Sequence, residues 1–182
     1  MAGDVTKAGR WPEADVYVAP LGTTPPVDID TAPAAEWNLV GFLDGDAGVV
    51  KSLDEDSDTL KAWGGTPIED VSTFNGETFQ FTAIEDNDVV WGMVYQGSST
   101  PTTVTGTTTR VAKVPVRGPQ AFLIRLSRGS GAKKQYLIPK GVARPTGDMA
   151  ENETDLGGTE ITVNVLANSS NELHTEIIKA AS

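Results

Sequence analysis

The chain has 182 residues and a formal net charge of −11, from 14 basic and 25 acidic residues. This length suits one ordinary domain, and the acidic balance argues against a protein that grips nucleic acid or anionic lipid. The absence of cysteine excludes disulfides and thiolate chemistry, and a single histidine argues against a catalytic triad or a multi-histidine metal site. Because no apolar run reaches membrane-spanning length, the sequence predicts a soluble protein without a membrane partner.

Most of the chain reads as short strands separated by clusters of Gly, Pro, Asn, Asp and Ser. Several strands alternate strictly, as where Phe79, Phe81 and Ala83 share one face. One apolar and one polar face favour antiparallel pairing. We therefore predict a mainly β single domain over residues 1–182, an antiparallel β-sandwich or partial barrel with an extended N-terminal arm at about 1–13. The predicted strands are residues 15–19, 37–43, 48–53, 77–84, 110–116, 121–128, 135–139, 160–166 and 172–178.

Two segments depart from the strand pattern. Residues at about 44–65 combine acidic side chains with Gly64-Gly65 and predict an exposed, mobile acidic loop. After Asn87, apolar residues recur at helical spacing, and Gly97 offers a residue that ends a helix. We predict one short flanking helix at about 88–96, packed on the sheet.

The charges are segregated along the sequence. Residues 1–88 sum to −14, residues 89–147 contain nine basic and no acidic residues, and residues 148–182 sum to −6. These runs are compatible with ordinary solvated surfaces. They are equally compatible with a self-complementary surface, in which the basic third of one copy meets an acidic stretch of the next.

No motif predicts a catalytic, cofactor or metal site. Asp54, Asp56 and Asp58 have the opening spacing of a calcium-binding EF-hand loop, but the sixth and twelfth positions are Thr59 and Gly65 instead of Gly and Glu. The glycines at 129–131 lack both the third glycine and the βαβ context of a dinucleotide site. The sequence therefore predicts a protein that is not an enzyme.

Two isolated side chains have alternative interpretations. His174 lies near Glu172 and Glu176, but without a nucleophile it is better interpreted as a solvated surface histidine than as a general base. Trp63, between the acidic run and two glycines, is the tryptophan best placed for a contact surface.

Four segments resemble the major tail proteins of siphophages, most closely those of phages infecting actinobacteria. They are DVYVAP at 15–20, WNLVGFLDG at 37–45, WGG at 63–65 and FQFTAIEDN at 79–87. The resemblance covers about residues 10–97, and afterwards only the strand pattern agrees. The chain resembles the short form of the family, which has no added C-terminal immunoglobulin-like domain.

The resemblance implies a structural virion protein whose homohexameric rings stack into a tail tube that conducts DNA into the host cell. The implied partners are further copies of the chain, the tape measure protein, the tail terminator and the distal tail protein, with transient passage of genomic DNA. Assembly is expected in the host cytoplasm. An acidic lumen would keep DNA hydrated and moving, whereas a basic one would bind phosphates.

This assembly assigns roles to particular side chains. We expect Glu77 and Glu160 to face the lumen, although the basic middle third is an alternative lining. The acidic inter-subunit contact is expected at Asp44, Asp46, Asp54, Glu55, Asp56, Asp58 and Trp63, and its basic partner at Arg125, Arg128, Lys133 and Lys134.

Two alternatives remain open at this point. Another virion component, such as a tail terminator or a capsid decoration protein, follows the same assembly logic but forms a single closed oligomer. A carbohydrate-binding or adhesin β-sandwich is also acidic and contains tryptophan.

Overall fold

The computed structural model describes residues 9–149, 153 and 157–181, so most of the predicted N-terminal arm lies outside the described residues. The described residues form ten strands and one helix. In chain order these are β1 (Glu13–Pro20), β2 (Asn38–Leu39), β3 (Val50–Lys61), β4 (Pro67–Ala83), α1 (Asp88–Val94), β5 (Thr102–Val104), β6 (Thr107–Thr109), β7 (Gln120–Ser127), β8 (Lys133–Pro145), β9 (Thr159–Val165) and β10 (Thr175–Lys179).

Eight strands form one antiparallel sheet in the order β2-β1-β7-β8-β9-β4-β3, with β10 also paired to β8. A short segment connects its two ends: Leu39 lies opposite Tyr17 of β1, and Leu43 bridges Ala83 of β4. Four residues span at most about 14 Å, so the sheet must curl to bring these strands together. The result is a partial barrel without a closed ladder, which confirms the predicted mainly antiparallel β class.

The main core fills the inside of the curl. Alternate residues of β1, β7, β8, β9 and the C-terminal half of β4 point inward, and the helix contributes Val90, Met93 and Val94. A smaller cluster on the outer face joins Trp37 to Ala19, Ala121 and Leu123. The strand alternation in the sequence predicted the inward set, whose largest members are Phe79, Phe81, Phe122, Ile124, Ile138 and Ile161.

Asn87 connects the helix to the segment that links the sheet edges. Its side-chain oxygen accepts hydrogen bonds from the backbone N–H groups of Val89 and Val90, which caps the helix. Its Nδ2 donates to the carbonyl of Val40 at 2.8 Å. The helix therefore begins where the sequence predicts, but it ends at Val94 instead of residue 96, since the backbone of Tyr95 is no longer helical.

Gly41 occupies a position that only glycine tolerates well. Its φ of +99° lies in the region that L side chains rarely adopt. A Cβ there would lie 2.3 Å from Oε2 of Glu85, the atom that accepts a hydrogen bond from the backbone N–H of Phe42. Gly41 thus lets the linking segment pass close to the residues that precede the helix.

Three secondary-structure predictions are wrong. Residues 44–65 are not a simple loop, because β3 pairs with β4 to form a long hairpin. Residues 37–43 form a strand only at Asn38–Leu39, since the rest crosses between the two sheet edges. Residues 110–116 are extended but join no ladder, because side chains at both ends hold them against the helix region.

A buried charge cluster holds the base of this hairpin. Glu77 is 3% exposed, and its Oε1 lies 2.8 Å from Nδ1 of His174 and 3.7 Å from Nζ of Lys51. Nζ of Lys51 also lies 3.2 Å from Nε2 of His174. The imidazole packs edge-on against the rings of Phe79 and Tyr136. His174 is thus half-buried and paired, which overturns its interpretation as a solvated surface histidine.

The pKa of His174 lies below its ordinary value of 6.5, chiefly because burial disfavours the charged ring. The carboxylates of Glu77 and Glu176 oppose this shift, and the ammonium groups of Lys51 and Lys134 add to it. A neutral ring can accept a hydrogen bond from Lys51 at Nε2 while Nδ1 faces Glu77.

The first prediction concerns Gly41. Replacing Gly41 with Ala should lower the free energy of unfolding by roughly 1–3 kcal/mol, because a strained φ and a displaced Glu85 both oppose the native state. Gly45→Ala, where a Cβ would meet no atom within 4 Å and φ is unstrained, is the matched control and should change stability by less than about 0.5 kcal/mol. Urea unfolding measures both, and equal effects would contradict the role of Gly41.

The second prediction concerns the buried histidine. Since its pKa is lower in the folded than in the unfolded chain, the stability it supports is complete above pH 6.5 and is lost as pH falls through the folded-state pKa. The wild-type protein should therefore lose more stability than His174→Gln between pH 7.5 and pH 5.5 in urea unfolding. Identical losses would show that the proton does not couple to folding.

Candidate functional site

The β3–β4 hairpin projects from the sheet as an arm, defined here as residues 50–76. Every residue of β3 is exposed, and burial along β4 begins only at its last residues, from Gly76 onward. The turn at its tip requires positive φ at Gly64 and Gly65, and Trp63 beside them is completely exposed. The glycine pair was the sequence signal for a hairpin. It was missed because it lies between an acidic run and a segment in which apolar and polar residues do not alternate.

The arm presents apolar and acidic side chains together. The pairing places acids directly opposite large apolar residues, as at Glu55 and Phe74 or at Asp58 and Val71. An exposed apolar surface of this extent is typical of a protein–protein contact. The large apolar residues exposed on the arm are Val50, Leu53, Leu60, Trp63, Ile68, Val71 and Phe74.

The predicted acidic contact residues fall into two groups. Asp54, Glu55, Asp56 and Asp58 lie on exposed β3, and none of these carboxylates has an ion-pair partner among the described residues. Asp56 accepts a hydrogen bond from Nδ2 of Asn75 across the arm.

The other two acids, Asp44 and Asp46, lie in the turn that precedes β3. There Oδ1 of Asp44 accepts a hydrogen bond from the backbone N–H of Asp46. They are near the base of the arm and not on it.

The predicted basic partner is already engaged inside its own subunit. Nζ of Lys133 lies 2.7 Å from Oδ1 of Asp30, and Nζ of Lys134 lies 2.7 Å from Oε1 of Glu176. Lys179 binds the second oxygen of Asp30, and the two lysines lower the pKa of that carboxyl to about 2. The two ion pairs of Asp30 therefore persist throughout the neutral and mildly acidic range.

The two arginines of this hairpin also have internal contacts. Arg125 donates to Oε1 of Gln135 and to the carbonyl of Thr31, which fixes the loop before β2. The guanidinium of Arg128 lies over the ring of Trp11, 5.1 Å from its centroid. The four basic side chains of the hairpin thus all have contacts inside their own subunit, and the predicted contact with a neighbouring subunit stays a prediction.

The structure places the two residues expected to line the lumen, Glu77 and Glu160, in different environments. Glu77 is buried in the cluster at the base of the arm, so its carboxylate does not fit the expected lumen role. Glu160 lies on the outer face of β9 and accepts a hydrogen bond from Oγ1 of Thr146 at 2.7 Å. The other outward positions on β4 and β9 are Thr78, Gln80, Thr82, Thr162 and Asn164.

Where β4 and β9 pair, this outer polar face presents hydroxyl and amide groups, with Glu160 as its charged residue. On β8 the face includes Arg144, opposite Thr162, and Lys133, opposite Ser127. The small apolar cluster around Trp37 covers the β1–β7 part of the outer surface and reaches Leu137 of β8. Hydroxyl and amide groups therefore occupy the β4–β9 part of the face.

The described residues contain no group of three or more potential metal ligands. An open groove of about 1070 Å³ runs between residues 10–15 and 39–49, but its lining includes no serine, histidine or cysteine to act with its acids. Among the described helices, none is long and apolar enough to span a bilayer.

Comparisons with known proteins identify the family. A chain from a solved structure of the PVC sheath–tube complex of an extracellular contractile injection system, in its extended state, aligns with TM-score 0.48 and 11% identity over 97% of this chain and 94% of that one. No curated protein matches. The sequence model of the phage tail tube protein family matches residues 6–181, nearly the whole chain. The chain therefore belongs to the phage tail tube protein family and is a structural component of the phage tail.

Proposed function

We propose that six copies of this chain form a ring, and that rings stack into a tube through which genomic DNA passes into the host cell. Family membership supports the tube, and the shape of the subunit supports self-assembly. The sheet ends in a two-residue strand, β2, on one side and in the exposed edge of β3 on the other. Open edges of this kind are satisfied when a neighbouring subunit covers or pairs with them.

The arm is the observation that carries this proposal. It exposes large apolar side chains beside acids that lack internal ion pairs, and its 12-residue outer strand has a free edge. Burying one such side chain contributes about 1.5–3 kcal/mol, so an isolated subunit gains substantially by covering it. We assign the arm, with Asp54, Glu55, Asp56, Asp58 and Trp63, to contacts between subunits, and place Asp44 and Asp46 beside that contact.

The outer polar face of β4, β8 and β9 is our choice for the lumen, with Glu160 as its acid. DNA binding to proteins is driven largely by cations that neutralise phosphates and release counterions. The hydroxyl and amide groups of β4 and β9 supply little of that driving force, so DNA can slide past them. This lining replaces the acidic one expected from composition. The tape measure protein, tail terminator and distal tail protein are the proposed further partners.

The third prediction is that concentrated protein forms tubes with sixfold symmetry in electron microscopy. Removing the apolar tip with Trp63→Ser and Ile68→Ser should raise the concentration needed for assembly by about tenfold or more, since tenfold corresponds to about 1.4 kcal/mol. Thermal stability of the subunit should stay unchanged. The control is Leu21→Ser with Val27→Ser, which removes exposed apolar side chains elsewhere. Only compact particles at every concentration, or equal effects of the two pairs, would contradict the proposal.

The fourth prediction concerns the basic hairpin. Reversing Lys133 and Lys134 to Glu should lower the stability of the isolated subunit, because it opposes Asp30 and Glu176 within the same chain. The reversed pair Lys134→Glu with Glu176→Lys should recover the melting temperature lost by Lys134→Glu alone, whereas Asp30 cannot be reversed in this way because it also binds Lys179. If instead Asp54→Lys with Asp56→Lys restores assembly, the hairpin contacts a neighbouring arm after all.

A further inference from the structure

Residues 110–117 form an extended strap, a name used here for this segment. Its first residue, Arg110, binds the carboxylates of Asp86 and Asp88 at the start of the helix. Its last, Arg117, donates to the carbonyls of Met93 and Val94 at the end of the helix. These two arginines therefore hold the strap along the helix, although it belongs to no sheet.

Between its two anchors the strap is open to solvent. Val111, Val114 and Val116 are 52%, 87% and 73% exposed. The backbone N–H of Lys113 donates to Ser98 and that of Val116 to Gln96, while Val111, Ala112 and Val114 have no backbone hydrogen-bond partner among the described residues. Within that part of the chain the strap thus combines an apolar surface with unpaired backbone groups, the features of a segment that accepts an added strand.

The arm and the beginning of the strap lie at opposite ends of β4. The arm uses the N-terminal part of this 17-residue strand, and the carboxylates that hold Arg110 follow its C-terminal end. At about 3.3 Å per residue the strand is about 55 Å long. In a head-to-tail stack with β4 along the stacking direction, the arm end of one copy would meet the strap end of the next.

We propose that the strap of one copy receives the arm of a second copy in the adjacent ring. This inference rests on the proposed stacking and names the surface that the arm contacts. Both surfaces are apolar, and their charges are compatible: the arm is acidic, whereas the sequence from 89 to 147 contains no acid, and the side chain of Lys113 has no partner among the described residues. The basic hairpin is a poorer receiver because its cations are already engaged.

A head-to-tail contact between different surfaces also has the symmetry that stacking requires. Such a contact leaves one free arm and one free strap at the two ends of any stack, so it extends without closing. Each contact is small, but a sixfold ring makes six of them at once, and effective concentration then favours the last after the first has formed.

The test places charge on the strap of the full chain. Val111→Asp with Val114→Asp should raise the concentration needed for assembly by about tenfold or more, because carboxylates would face the acidic arm and lie in an apolar contact. The melting temperature of the subunit should not change, since both side chains are exposed. Val27→Asp, at a valine 93% exposed on a different loop, is the control and should assemble normally.

A second experiment uses the absence of cysteine from the chain. Thr66→Cys, at an exposed position of the arm tip, and Val114→Cys proteins are assembled together and treated with a bismaleimide, which should link the two variants only in tubes. Thr66→Cys with Val27→Cys is the comparison pair and should remain unlinked. Wild-type assembly by the aspartate variant, or linkage of the comparison pair alone, overturns the strap as receiver. If the arm-tip variants of the third prediction also assemble normally, the role of the arm fails with it; the proposed function itself fails only if the wild-type chain forms no tubes.

Discussion

The structure depends on one long strand that belongs to two environments. From Glu77 to Ala83, β4 alternates between the core and the outer polar face, and from Pro67 to Asn75 both of its faces meet solvent. The core half is fixed by pairing with β9, whereas the arm half has only β3 as a neighbour. A two-stranded hairpin is marginal by itself in water, so the arm keeps its form because the sheet holds its base.

The buried cluster at that base explains why the change of environment is abrupt. Glu77 is the first residue of β4 after the arm, and its carboxylate lies between His174 and Lys51. Removing a charge from water costs several kcal/mol unless partners compensate. Glu77 stays buried only while β3, β4 and the residue before β10 remain together, so these three elements fix the point from which the arm leaves the sheet.

The charge segregation along the sequence has a meaning different from both interpretations that the sequence allowed. Three of the nine basic residues between 89 and 147 form ion pairs among the described residues: Arg110 with Asp86 and Asp88, Lys133 with Asp30, and Lys134 with Glu176. Folding therefore uses part of the apparent complementarity inside the subunit, while the acids of the arm have no ion-pair partner among the described residues. Sequence separation of charges did not distinguish pairing within a subunit from pairing between subunits, because both bring distant segments into contact.

The sequence predicted secondary structure correctly where one face of a strand or helix is buried, because burial imposes an alternation of apolar and polar residues. It failed where no face is buried. The alternation around Phe79 and Phe122, and the cap at Asn87, predicted strands and a helix start that the structure confirms. The arm was missed because a strand exposed on both faces has no alternation to detect. The pairing of Glu77 with His174 was missed because it depends on curvature and on contacts between residues 97 positions apart.

The composition of the arm also disfavours pairing between two identical arms. An exposed hairpin with free edges and large apolar side chains is prone to pair with identical hairpins. Here acids lie opposite apolar residues, as with Leu60 and Glu69, so two arms brought together would juxtapose like charges. A surface that is apolar and carries a cation can cover the arm at less cost, and the strap offers Val111 and Val114 beside Lys113. In the stack that we propose, repulsion between like surfaces favours contact between unlike ones and so gives the stack a single direction.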